Sequence, residues 1–230
     1  MNRYRLMLQK LLWNVREDGV AETVRRGAGM IRQELFYGSE HVLCFDVDAM
    51  PEEAVPTESG IAIAHHVRRE DIPARHLEQL RSIVRKRHMP EEVVQHYLDY
   101  LLRMFSDGGE LCLALCNDEV AGFIWIFRAS DNCREYFQFF TITPRDGVLC
   151  AAFTRPEFRG RGVFATLNRF GFRVAKREGM QYVYASCKTW NTASYHGLVK
   201  SGMQRVGTAR YLKVLGRYIV VWSAKEGEWP

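Results

Sequence analysis

The sequence predicts a mixed α/β domain, a sheet with helices on its faces, preceded by an N-terminal helical arm. Three observations carry this. The carboxyl-terminal half runs strand, glycine turn, helix, strand and helix in series. Of the 230 residues, 47% are hydrophobic and 26% charged, which is globular composition with enough chain for one sizeable core. The texture also changes at Gly60, from helical spacing and an acidic, proline-bearing stretch to alternating segments punctuated by turns.

Residues 3–16 place Leu6, Leu8, Leu11, Leu12 and Val15 at nearly helical spacing, with Arg3, Arg5, Lys10 and Arg16 elsewhere. A second helical pattern covers 19–36 despite glycines at 27 and 29. Together they predict a helical arm over residues 1–45. Its apolar stripe packs on the domain, or its basic, Trp13-bearing first helix makes peripheral contact with a membrane surface. Residues 46–59, acidic and carrying Pro51 and Pro56, read as a linker. The main domain is then 60–230, and if residues 1–45 only cap it or guide localisation, a truncated chain beginning near Glu58 should still bind its ligand.

Within that domain Ile61–Val67 alternates as a strand does. Ile72–Arg87 is a helix with Leu77, Leu80, Ile83 and Val84 inward, and Pro90 opens another to about Phe105. Strands at Glu110–Leu115 and Val120–Arg128 form a hairpin around Cys116–Glu119. Tyr136–Thr143 is a strand, Pro144–Gly147 a turn, and Val148–Phe153 an apolar strand. A helix at 164–178, a strand at 181–186, a helix at 192–201 and strands at 204–213 and 217–223 complete the domain.

The bulk numbers exclude several classes. A formal charge of +5 suits an anionic ligand, while dispersed arginines and aromatics held in apolar runs argue against nucleic acid. Six cysteines, at 44, 112, 116, 133, 150 and 187, show no two-residue zinc spacing, so reduced thiols and no metal are expected. No apolar stretch approaches the roughly 18 residues of a spanning helix, and no signal core opens the chain. A cytoplasmic location is the expectation.

The stretch from Val148 to Phe164 is the most informative. A buried strand runs into a turn containing Gly160 and Gly162, and an amphipathic helix starts directly after it. Glycines let backbone approach a ligand, and the unpaired N–H groups of a first helical turn face whatever lies beyond it. A pyrophosphate fits there, with Arg159 and Arg161 supplying charge. Farther on, Asn191-Thr-Ala-Ser194 opens a helix that ends at Ser201-Gly202-Met203. Alone, Asn191 is a helix cap and Gly202 a helix stop.

Arg159-Gly160-Arg161-Gly162-Val163-Phe164 resembles the acyl-CoA-binding motif of the GNAT superfamily of N-acyltransferases, with Phe164 where the pattern has a small residue. The Asn191 helix is similar to that superfamily's Asn-x-x-Ala/Ser helix, and the two matches in order cover roughly residues 60–223. The resemblance implies a central, mixed but mostly antiparallel sheet flanked by helices. It implies that acetyl-CoA is the co-substrate and that its pantetheine arm lies along Ala152, Phe153 and Thr154 through backbone groups. It places the phosphates on Arg159, Gly160, Arg161, Gly162, Val163, Phe164 and Ala165, with Asn191 holding the arm. The implied reaction is direct attack by the primary amine of a small molecule, an amino sugar or similar, on the thioester.

Two family positions are altered. Leu198 stands where many members carry a tyrosine acid, and Ser186 stands where some carry a glutamate base. Tyr195, on the helical face of Asn191 and Leu198, is the candidate substitute acid, with packing as its competing role. His196 points elsewhere. His65 and His66 alternate faces of a strand and have no metal-ligand spacing. Some of Tyr136, Phe137, Phe139 and Phe140 would line the acceptor site. Competing readings are an acyl-CoA-binding protein without catalysis and a membrane-surface accessory protein anchored by residues 3–16. Association into a homodimer stays open.

Overall fold

Eight strands hydrogen-bond into one sheet in the computed structural model, which describes residues 20, 38–50, 60–85, 89–129, 137, 142–214 and 217–224. In chain order the elements are β1 (Gly38–Asp46), β2 (Ile61–His66), α1 (Ala74–Val84), α2 (Glu91–Arg103), β3 (Glu110–Cys116) and β4 (Glu119–Arg128). Then come β5 (Asp146–Thr154), α3 (Val163–Arg177), β6 (Tyr182–Lys188), α4 (Thr192–Lys200), β7 (Gln204–Val214) and β8 (Arg217–Ala224). The spatial order is β2-β3-β4-β5-β6-β1-β7-β8. Every neighbouring pair is antiparallel except β5 and β6, which are parallel. This is the mixed, mostly antiparallel sheet flanked by helices that the resemblance implied.

Strand periodicity divides the core in two. Leu43, Ile124, Leu149, Val183 and Ala185 meet Val163, Leu167 and Phe172 of α3 and Leu198 of α4 on one face. Val42, Leu113, Trp125, Val148 and Tyr184 meet Leu80 of α1 and Leu98, Leu101 and Leu102 of α2 on the other. A strand covered on both faces is apolar throughout, which explains why all eight residues from Val120 to Phe127 in β4 are buried.

Gly38–Asp46 corrects the expected helical arm, whose last residues are instead a strand in the middle of the sheet. β1 pairs with β6 from Glu40↔Lys188 to Asp46↔Tyr182 and with β7 from Gly38↔Tyr211 to Cys44↔Gln204. Its polar first half and short apolar second half, Val42–Phe45, carry no period of their own. Packing on both faces decides the conformation. The chain after it also stays ordered to Met50, with Val47 and Met50 buried, so the first part of the expected linker belongs to the domain. The expected helices over 3–16 and 19–36, linker residues 51–59 and most of the expected strand at 136–143 lie outside the described residues.

Two irregularities shape the centre of the sheet. The parallel pairing of β5 with β6 runs from Asp146↔Tyr182 to Leu149↔Ala185 and stops, although both strands continue. On the other side, Phe123 pairs with Phe153 but Trp125 with Cys150, so β5 carries one extra residue around Ala151 and Ala152. Ala151 takes φ 47° to accommodate it, a bulge that bends the strand. Ala151 and Ala152 are consequently exposed in the middle of an eight-stranded sheet.

Because β1 joins β6 to β7, a truncated chain beginning near Glu58 splits the sheet, leaves one edge of each of these strands unpaired and lacks Val42 and Leu43, both fully buried. It is expected to fail to fold cooperatively in urea denaturation followed by far-UV circular dichroism, contrary to the sequence-based expectation. A soluble two-state truncation would refute the central role of β1.

His66 and His76 are buried, and Nε2 of both and Nδ1 of His76 have no hydrogen-bond partner among the described residues. Burial holds both below the ordinary 6.5, helped at His66 by His76 and at His76 by Arg75, against smaller opposing effects of Asp71 and Asp118. The unfolded chain therefore binds protons that the folded chain refuses. Stability is complete above about pH 6.5 and falls as pH drops below it. Replacing His76 with Leu should reduce the stability lost between about pH 7 and about pH 5 in urea titrations. An identical loss in parent and variant would contradict the assignment.

Candidate active site

The site begins where β5 leaves the sheet. Beyond Thr154 a single 3-10 turn, Pro156–Phe158, lifts the chain, and Arg159–Gly162 returns it to the start of α3. Gly160 and Gly162 take φ of 77° and 78°, the left-handed region that favours glycine. A Cβ on Gly160 would meet nothing within 4 Å, so conformation, not crowding, selects glycine there. Gly162 is the N-cap of α3, leaving the N–H groups of Val163, Phe164 and Ala165 as the free donors of its first turn.

These residues enclose a cavity of about 530 Å³ between β5, the turn, α3 and α4. Ala152, Phe153, Thr154, Arg159, Gly160, Gly162, Val163, Phe164, Ala165 and Asn191 all line it. Arg161 does not; its guanidinium lies 5.5 Å from the centre of the Phe158 ring. The lining includes the cations Arg159 and Lys200 and no carboxylate, and it combines them with the positive end of α3. Such a surface suits a polyanion at one end and an amide-rich chain at the other, where strand β5 exposes its backbone.

Phe164, the departure from the motif, is accommodated by Gly197. A Cβ on Gly197 would come within 2.6 Å of the Phe164 ring, so the absent side chain is what seats the aromatic between α3 and α4. Asn191 is the N-cap of α4, its Oδ1 accepting from Ser194 N–H at 3.1 Å. The sequence reading missed Ala193, Ser194, Gly197 and Lys200, which share the cavity face of α4. Their three- and four-residue spacing from Asn191 and from one another was the available signal.

A second cavity, about 340 Å³, opens on the opposite face of the sheet. Tyr100 and Met104 from α2 and its end, Phe137, residues 148–151 of β5 and Ser186 of β6 line it. The two cavities share β5: the first takes Ala152–Thr154, the second Val148–Ala151. Their linings are adjacent at the bulge, between Ala151 and Ala152, where β5 has parted from β6. Of the expected acceptor aromatics, Phe137 lines this space; Tyr136, Phe139 and Phe140 lie outside the described residues.

Tyr195 lines neither cavity. Its half-buried ring packs against the core, 5.0 Å from the His41 ring and 5.6 Å from that of the exposed His196. Leu198 is buried in the core. His65 bonds Glu110 at 2.7 Å, and that hydrogen bond holds the Glu110 carboxyl below its usual range. Among the described residues no three His, Cys, Asp or Glu side chains gather as a metal site. Cys44, Cys112, Cys116 and Cys187 are free thiols, and burial pushes Cys44 and Cys112 up to about 12, far from reactive thiolates.

Residues 76–203, more than half of the chain and the whole of this site's turn, match the acetyltransferase (GNAT) family. The chain belongs to the GNAT family. No match was found among curated proteins. Solved structures of similar fold include a functionally unknown conserved protein from Staphylococcus epidermidis, 12% identical, over 80% of this chain and 65% of that one, with a TM-score of 0.52. A tandem GNAT protein from the clavulanic acid biosynthesis pathway is 12% identical over 88% of this chain and 59% of its own, with a TM-score of 0.53. A glucosamine N-acetyltransferase region of a fungal multi-domain β-N-acetylglucosaminidase is 15% identical over 83% and 23%, with a TM-score of 0.52. The chain thus spans less than two thirds of each of these proteins, and the likeness is one of fold.

For this GNAT chain the fit of Phe164 against Gly197 is directly testable. Gly197→Val places a branched side chain where 2.6 Å is available and should destabilise the protein by about 1–3 kcal/mol in urea unfolding. Adding Phe164→Ala should recover part of that loss. Strict additivity of the two changes would show that the contact does not exist in solution.

Proposed function

We propose that this protein transfers an acetyl group from acetyl-CoA to the primary amine of a small molecule, such as an amino sugar. The observation that carries the reading is that the linings of the two cavities adjoin at the exposed bulge of β5. The cationic cavity, with its helix N-terminus, suits the phosphates of the co-substrate. The unpaired edge of β5 suits an amide-rich pantetheine arm, whose amides replace the missing strand partner. The thioester would then lie near Ala151 and Ala152, open to the second cavity and therefore to an amine held there.

In this reading Ala152, Phe153 and Thr154 hold the arm through backbone groups. Val163, Phe164 and Ala165 offer helix N–H donors, and Arg159 and Lys200 supply positive charge. A backbone N–H at the bulge stabilises the oxyanion as nitrogen attacks the carbonyl carbon. Positioning two reactants across one opening provides much of the acceleration. The packing of Tyr195 against His41 disfavours it as the acid, and a thiol of pKa about 8.5 leaves readily enough for solvent to protonate it.

A second reading, acyl-CoA binding without catalysis, draws support from Leu198, buried at 3% exposure where relatives place a tyrosine acid. Thiol release from acetyl-CoA across a screen of amines separates the two: release that depends on the amine supports transfer, and binding without release supports the alternative.

Gly162→Asp provides the test of the co-substrate site. Aspartate tolerates the left-handed conformation at about 1–2 kcal/mol, so the fold should survive. Its carboxylate would stand at the helix N-terminus, against the phosphates. Acetyl-CoA affinity measured by calorimetry is expected to fall by about a hundredfold or more, with an unchanged circular dichroism spectrum. Unchanged affinity would remove this turn from the binding site.

A further inference from the structure

The lining of the second cavity includes the Ser186 hydroxyl, and a carboxylate stands behind it. Glu40 of β1 points to the α1–α2 face of the sheet, where its side chain is only 14% exposed. Three donors hold it. Ser186 Oγ donates to Glu40 Oε2 at 2.6 Å, Lys188 Nζ lies 3.0 Å from Oε1, and the Tyr211 hydroxyl donates to Oε1 at 3.2 Å. Lys188 also donates to the Tyr211 oxygen. Gly38 makes this arrangement possible: a Cβ there would overlap the Tyr211 ring at 2.1 Å, so the ring reaches Glu40 only across a glycine.

Ser186 is the member of this group that lines the second cavity. It stands directly after Ala185, the last residue of β6 paired with β5, and so at the mouth of the gap. A hydroxyl that donates to a carboxylate keeps its lone pairs available to accept. An amine N–H entering from the cavity would therefore meet an acceptor backed by a buried carboxylate.

Resting on the acyl-transfer reading above, we propose that Ser186 and Glu40 form a proton relay for the acceptor amine. The ammonium first passes a proton to Ser186 Oγ as the hydroxyl proton passes to Glu40 Oε2, which frees the nitrogen lone pair. The nitrogen then attacks the thioester carbonyl carbon, forming the C–N bond, and the C–S bond breaks with its electron pair leaving on sulfur. The proton that the nitrogen sheds as the amide forms reaches the thiolate through solvent, and solvent later removes the first proton from Glu40. Ser186 is the catalytic residue and Glu40 acts through it. Lys188 and Tyr211 fix the other carboxylate oxygen, which aims Oε2 at Ser186. Among the described residues the charged and titratable groups facing Glu40 are these two; the Cys187 thiol packs on the opposite face of the sheet, and burial and the Glu40 charge push it up to about 11.

The relay is tested by comparing an amine that carries a surplus proton with one that does not. Ethanolamine is largely protonated at neutral pH, hydroxylamine largely neutral, and both are small enough for the cavity. Thiol release from acetyl-CoA is measured for the parent, Glu40→Gln and Ser186→Ala, with acetyl-CoA affinity determined separately by calorimetry. The relay requires both variants to lose at least about tenfold more kcat with ethanolamine than with hydroxylamine, within the range of general-base effects. Their ethanolamine rates should recover as pH rises and free amine accumulates, and acetyl-CoA affinity should stay within about twofold. Ser186→Ala keeps the carboxylate and its two other partners, so it reports even if Glu40→Gln unfolds the sheet. An equal loss with both amines, or none, overturns the relay alone. A parent that binds acetyl-CoA but releases no thiol with either amine overturns the transfer reading and this inference with it.

Discussion

The parting of β5 from β6 after Leu149 and Ala185 is the constraint on which the rest of the site depends. Two neighbouring strands in a sheet ordinarily satisfy each other's backbone groups along their whole length. Leaving a buried donor or acceptor unpaired costs about 1–3 kcal/mol. Here the extra residue at Ala151 and Ala152 bends β5 away, and β6 cannot follow because β1 pairs with it from Lys188 to Tyr182. The sheet is held open from both sides. Its unpaired strand segment becomes the surface along which an extended, amide-bearing ligand can lie.

The opening divides the molecule chemically. On the α3–α4 face it meets a helix N-terminus, Arg159 and Lys200, a combination that favours anions. On the α1–α2 face it meets Tyr100, Met104, Phe137 and a serine hydroxyl tied to a carboxylate. In the proposed transfer, an anionic donor and an amine acceptor would each approach the bulge from its own side.

Two glycines far apart in sequence show how the site tolerates bulky groups. Gly197 makes room for Phe164 at the helix start, and Gly38 makes room for Tyr211 beside Glu40. In both cases the aromatic carries the visible feature and the glycine decides whether it fits. Neither pairing follows from local spacing, since 33 and 173 residues separate the partners.

The glycine turn, the helix after it and the Asn191 cap were legible in the sequence because each is a local device, set by backbone conformation and helix-end hydrogen bonding within a few residues. The same holds for most strands and helices after Gly60, whose periodicity survives in the structure. The strand Gly38–Asp46 was not legible, because four apolar residues after a polar start take their conformation from the strands beside them. With it went Glu40, whose place beside Ser186 exists only through the register of β1 on β6. The sequence by itself determined the glycine turn and the family; the tertiary structure alone decided where the sheet opens and which side chains face that opening, because strand order and register are long-range choices that no local pattern encodes.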